Sequence, residues 1–155
     1  MMLEQNKIVD KMEPYQHRFK NYMSYHEIPM PVTKNGEQYY LLKNDIVIDN
    51  LHFYYVINEE NQVVGRFSAN VFEKNCGLTY HIVPEYQNRG IGQLVLGIMV
   101  EDLFTLDVDI IRLHPTNERS AAIAMKNGFV PMHRKVEYYT LTRLDYQNRQ
   151  KKSNL

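Results

Sequence analysis

Six consecutive residues, Gln87, Asn88, Arg89, Gly90, Ile91 and Gly92, have the types and spacing to hold a phosphate. They follow a β-like run over residues 78–83 and open an amphipathic helix. A glycine turn from strand to helix lines up backbone N–H groups at a helix N-terminus, where the partial positive charge favours an anion. Glycine is expected at 90 and 92 because a side chain there would block close approach of the backbone to the ligand. Ile91, Leu94, Val95, Ile98, Met99 and Leu103 recur at the spacing of one buried helical face. The segment reads as a pyrophosphate cradle. No Gly-Lys-Ser/Thr follows, which sets a P-loop aside, and Val95 and Leu96 stand where the third glycine of a dinucleotide fingerprint would be.

A second segment lies downstream. Residues 109–114 read as a buried strand, then come Pro115, Thr116 and Asn117, a helix over residues 120–127, and Gly128-Phe129. Asn117 can cap the first helical turn, and Gly128 sits where a C-terminal left-handed glycine belongs. In order and spacing the two segments resemble the GCN5-related N-acetyltransferase (GNAT) superfamily over roughly residues 62–144, in the motif style of its ribosomal-protein N-terminal acetyltransferases. Gln87, Gly90 and Gly92 match the pyrophosphate pattern of that family, and Asn117, Ser120, Gly128 and Phe129 match the later strand–helix segment.

The resemblance implies acetyl-coenzyme A as cosubstrate, no metal, and direct attack by a primary amine within a ternary complex. It implies a coenzyme site built from Tyr80, Ile82, Val83, Gln87, Asn88, Arg89, Gly90, Ile91, Gly92, Gln93, Asn117 and Ser120. Backbone N–H groups near Tyr80 and Ile82 would hold the thioester carbonyl, a contribution of roughly 3–4 kcal/mol per donor in other acyl-transfer enzymes. The family tyrosine that protonates the thiolate falls at Ala124, so the general acid is unassigned. Ser120 is the first candidate, with Tyr138 and Tyr139 in reserve. His81 is the candidate base because its intrinsic pKa is near neutrality, beside Glu73, Glu85 or a water relay. A coenzyme-A-binding sensor without catalysis is the alternative reading. Cys76 has no Cys-His-Asp/Asn arrangement to make it a nucleophile, and His81 and His114 complete no metal-ligand spacing.

The elements that must position these residues read as one α+β (mixed α/β) domain over residues 1–147, with a polar tail over 148–155 expected to be disordered. The expected core is a mostly antiparallel twisted sheet with helices on both faces. The strands before the glycine turn and before Asn117 should splay into a V-shaped cleft. Residues 51–57 and 63–72 read as a hairpin around Asn58 to Asn61, helices are expected over 14–26 and 36–43, and a final β region over 129–144. Residues 1–9 fit either a fraying start or a first edge strand.

Composition bounds the rest. Lys plus Arg and Asp plus Glu are 18 each, and this neutral balance disfavours a nucleic-acid or anionic-membrane partner. A single cysteine and a polar N-terminus fit a reducing cytoplasm, and no apolar run reaches bilayer-spanning length. The expected partner is a small-molecule or peptide amine, and a homodimer is common in the family. The 12 tyrosines, several of them within residues 15–40, fit core packing or an amine slot.

Overall fold

A computed structural model describes residues 9–10, 25–132 and 138–153 of the chain. The hairpin expected near residue 58 is present as two strands, β4 (Leu51–Ile57) and β5 (Gln62–Phe72). Asn58 makes the turn: its side-chain oxygen accepts from the Glu60 and Gln62 N–H groups, both at 3.0 Å, and Asn61 adopts a φ of +63°. Strand alternation sends Tyr54 and Val56 to one face and Phe53, Tyr55 and Ile57 to the other, and both faces are buried. A bulge where Ile57 meets Val63 shifts the register at the hairpin end.

Around this hairpin the strands β1 (Val9–Asp10), β2 (Tyr25–Ile28), β3 (Tyr40–Asn44), β6 (Asn75–Ile82), β7 (Ile110–Leu113), β8 (Val130–Met132) and β9 (Tyr138–Thr142) complete a nine-stranded sheet. The order is β2-β3-β4-β5-β6-β7-β9-β8, with β1 joining the start of β5. Among the described strands only β1–β5 and β6–β7 pair in parallel, so the mixed, mostly antiparallel architecture is as expected. Three helices, α1 (Ile91–Phe104), α2 (Glu118–Lys126) and α3 (Arg143–Ser153), contribute to the larger core cluster with one face of the sheet. Leu42, Phe53, Tyr55, Ile57 and Val63 form a smaller cluster on the other face.

Two elements differ from expectation. The segment over 36–43 is not a helix: Gly36, at φ +79°, closes a turn on the Thr33 carbonyl, and β3 begins at Tyr40. Tyr39, Leu41 and Leu42 form an apolar run too short for its period to decide, and pairing with β2 and β4 decides it. Of the tail expected to be disordered over 148–155, residues 148–153 are the second half of α3, and the boundary drawn at 147 falls inside that helix. Tertiary contacts hold it: the Tyr146 ring stacks on Phe104 at 4.9 Å, and Arg143 donates to the Phe104 and Leu106 carbonyls. The helix expected over 14–26 lies outside the described residues except for Tyr25 and His26, which begin β2.

Candidate active site

β6 and β7 pair from Asn75 opposite Ile110 to Leu78 opposite Leu113 and then part, so the expected splay is present. The Val83 N–H donates to the Val64 carbonyl at 2.9 Å, and hydrogen-bonded pairs alternate along an antiparallel ladder. Counting back by two along the register, His81 and Thr79 turn their main chain toward β5. Tyr80 and Ile82 turn theirs to the side that β7 has left. The Ile82 carbonyl on that side accepts from the Gln87 side-chain amide at 2.9 Å, which braces the following turn.

The turn then delivers the chain into α1. Asn88 and Gly90 take φ values of +63° and +85°, and Gly90 caps the helix with no side-chain acceptor and no acidic residue in the first turn. The first helical hydrogen bond runs from the Leu94 N–H to the Gly90 carbonyl at 3.3 Å, so the N–H groups of Ile91, Gly92 and Gln93 lack an intrahelical acceptor. A Cβ on Gly90 would meet no atom within 4 Å, because it faces the cleft. Gly92 serves a different purpose from the one expected: a Cβ there would lie 3.1 Å from the δ-methyls of both Ile82 and Ile123. It is a packing glycine that lets α1 start against β6 and α2.

Around these donors lies a cleft of about 420 Å³. Tyr80, Ile82, Gln87, Asn88, Arg89, Gly90, Ile91, Gly92, Gln93, Asn117, Ser120 and His81 all line it. Val83 and Tyr138 do not. Val83 is buried with its N–H committed to β5, and Tyr138 sits against His114 with ring centroids 5.6 Å apart. Arg89 is tied back, its guanidinium 2.9 Å from Glu37 and over the Tyr86 ring, which fastens the Thr33–Glu37 loop to the turn. Lys34, Arg119 and Lys126 bring further positive charge to the cleft, and Arg119 donates to the Gln87 side-chain oxygen. These three cations were not among the expected site residues, although the seven-residue spacing of Arg119 and Lys126, two helical turns, is visible in the sequence. Uncapped N–H groups with cations around them fit a pyrophosphate.

α2 forms the opposite wall. The Asn117 side chain accepts from the Ser120 N–H at 2.8 Å and so caps the helix. Gly128, at φ +89°, ends it, with the Phe129 N–H donating to the Ala124 carbonyl. Ala124 is fully buried, so its position offers no group to the cleft. Tyr80 stacks on Phe67 at 5.1 Å; burial raises its pKa and the nearby Ser120 hydroxyl opposes the rise. Burial also pushes the Cys76 thiol up to about 12, which leaves it a core residue.

Solved structures share this architecture. One is the aminoglycoside acetyltransferase AAC(6')-Ib in complex with coenzyme A, at 17% identity and a TM-score of 0.55 over 66% of this chain and 72% of that one. Another is a ribosomal-protein-S5-alanine acetyltransferase from Vibrio fischeri, at 19% identity and 0.54 over 63% of this chain and 64% of that one. A third is a ribosomal L7/L12 α-N-protein acetyltransferase with coenzyme A, at 19% and 0.52 over 60% and 62%. This chain spans less than two thirds of the length of the latter two. At such identities the likeness is one of fold, and no curated protein matches the chain. A family profile for the acetyltransferase (GNAT) domain matches residues 9–130, which takes in the splayed strands, the glycine turn and the Asn117-capped helix. With most of its length matched and the cleft formed where the profile runs, the chain belongs to the GNAT acetyltransferase family.

Proposed function

We propose that this protein is an N-acetyltransferase that moves the acetyl group of acetyl-coenzyme A to a primary amine by direct attack. The observation that carries the reading is the half-paired β6, whose Tyr80 and Ile82 main chain faces an open edge directly before an uncapped helix N-terminus. Acetyl-coenzyme A supplies an activated thioester. Residues 88–93 would hold its pyrophosphate, with Lys34, Arg119 and Lys126 adding charge. The open edge of β6 would pair with the amides of the pantetheine arm as an added strand would. Its N–H groups would hold the thioester oxygen as charge builds there.

Ser120, on the cleft wall, is the proposed donor to the departing sulfur, and His81, exposed on the same cleft, the proposed base. Tyr138 is not proposed, because it sits against His114 and does not line the cleft. Aminoglycosides and ribosomal proteins, named for the structural neighbours, support an amine as acceptor. Thiol release from acetyl-coenzyme A with a panel of amines tests the proposal. A coenzyme-binding module without catalysis is favoured by one observation, the buried Ala124 at the family's acid position. That reading predicts coenzyme A binding by calorimetry and no amine-dependent thiol release.

A further inference from the structure

Tyr80 is the residue lining the cleft whose buried polar atom makes no hydrogen bond among the described residues. Buried hydroxyls in folded proteins are almost always paired, so such a group needs an explanation. The ring cannot swing away to find water: it is stacked on its cross-strand neighbour Phe67 at an interplanar angle of 14° and packs against the main core. Ser120 is the polar neighbour, held in place by its N–H on the Asn117 cap. Its hydroxyl is close to the Tyr80 oxygen without forming a bond of good geometry.

We propose that Tyr80 is a positioning residue for the leaving thiol: its hydroxyl donates to Ser120 Oγ and turns the Ser120 proton into the cleft. The proposal rests on the acetyltransferase reading of this site. A phenol is a far stronger acid than an alkanol, so the order of donation runs from Tyr80 to Ser120 and from Ser120 to sulfur. In the transfer, the amine nitrogen forms its bond to the acetyl carbon and the carbon–sulfur bond breaks with its electron pair left on sulfur. Ser120 hydrogen-bonds that sulfur, the surplus proton of the new amide nitrogen passes to His81, the proposed base, and a proton from water completes the thiol. Tyr80 thereby supplies what the buried Ala124 cannot, a tyrosine hydroxyl acting on the leaving group, from the strand instead of the helix.

The test is a titration of the thiol of coenzyme A bound to the full chain, followed by thiolate absorbance, in wild type, Tyr80→Phe, Ser120→Ala and the double variant. Tyr80→Phe keeps the ring stack and removes one oxygen. We expect it to raise the thiol pKa by about one unit, a tenfold change, with coenzyme A affinity within about twofold of wild type. Ser120→Ala should do the same and the double variant no more, because the two act in series. In turnover, kcat should fall while KM for the coenzyme holds. Unchanged titration in Tyr80→Phe, or additive effects in the double variant, would overturn the inference and leave the acetyltransferase reading standing. Absence of coenzyme A binding by the wild type would sink both.

Discussion

Gly92 and Ile82 pack so closely that a single added carbon on the glycine would lie 3.1 Å from the isoleucine δ-methyl. The two glycines of the turn therefore answer differently to substitution. Gly92→Ala should cost about 1–2 kcal/mol through overpacking, and Gly92→Leu should unseat the start of α1. Gly90→Trp should cost about 1–2 kcal/mol for its left-handed backbone, with no clash at Cβ, and should abolish coenzyme A binding by filling the cleft. Thermal melts and calorimetry on the three variants separate the effects. Full coenzyme affinity in Gly90→Trp would place the phosphates elsewhere.

The cations of the cleft should govern affinity more than Arg89 does. Arg119→Ala and Lys126→Ala should each weaken coenzyme A binding about fivefold, less so as salt is raised, because exposed charges are screened. Arg89→Ala should act mainly through the Thr33–Glu37 loop, whose anchor it removes. Susceptibility of that loop to proteolysis is the readout, and an Arg89 variant as resistant as wild type would contradict this role.

Asp102 ties α1 to the sheet, accepting from Lys43 Nζ at 2.7 Å and from the Tyr54 hydroxyl at 2.6 Å. Burial raises its pKa, but the bonds from Lys43 and Tyr54 outweigh this and hold the carboxylate below its ordinary value. A depressed acid stabilises the fold above its unfolded pKa and loses that contribution as pH falls through the folded one. Asp102→Asn should therefore cost about 2 kcal/mol at pH 7, with the gap to wild type closing below about pH 4. His52, held below its ordinary value by burial and by Lys43 and partly drawn back up by Asp102, makes a separate loss that starts as pH falls below its ordinary value. That loss is larger in the variant, which lacks the Asp102 charge, so the closing of the gap is read below about pH 4. Urea melts between pH 3 and pH 7 give the comparison, and a gap as wide at pH 3 as at pH 7 would refute the assignment.

Much of this was legible in the residues, and the exceptions share a cause. The hairpin at Asn58, the strand and glycine turn, α1, and the helix from Asn117 to Gly128 each carry a local signal: an Asx turn, a 3.6-residue period, a cap. What local pattern could not reveal depends on distant partners. β3 is a strand because two strands flank it, and α3 holds because Phe104 receives Tyr146. Gly92 is fixed by Ile123, 31 positions away, and Tyr138, a reserve candidate for the acid, sits against His114 and not in the cleft.

The C-terminal helix provides a further check. Arg149 lies over Gly128, with its Cδ 2.6 Å from where a Cβ would be, and donates to the Lys126 carbonyl at 3.3 Å. Truncation after residue 147 should lower stability by about 2 kcal/mol, or about 4–8 °C in Tm. A disordered tail would leave the melt unchanged.

The parting of β6 from β7 creates a sheet edge inside the molecule instead of at its rim. Edges are ordinarily guarded, because unpaired main chain accepts any extended partner. Here Gly92 and Ile82 pack together beside the cleft and α2 forms a wall, so that on the proposed reading the slot would take a single thin chain by its amides, not its side groups. Such recognition resists mutational erosion. Replacing the side chain at 80 or 82 leaves the N–H in place, and proline is the one genetically encoded residue that deletes it.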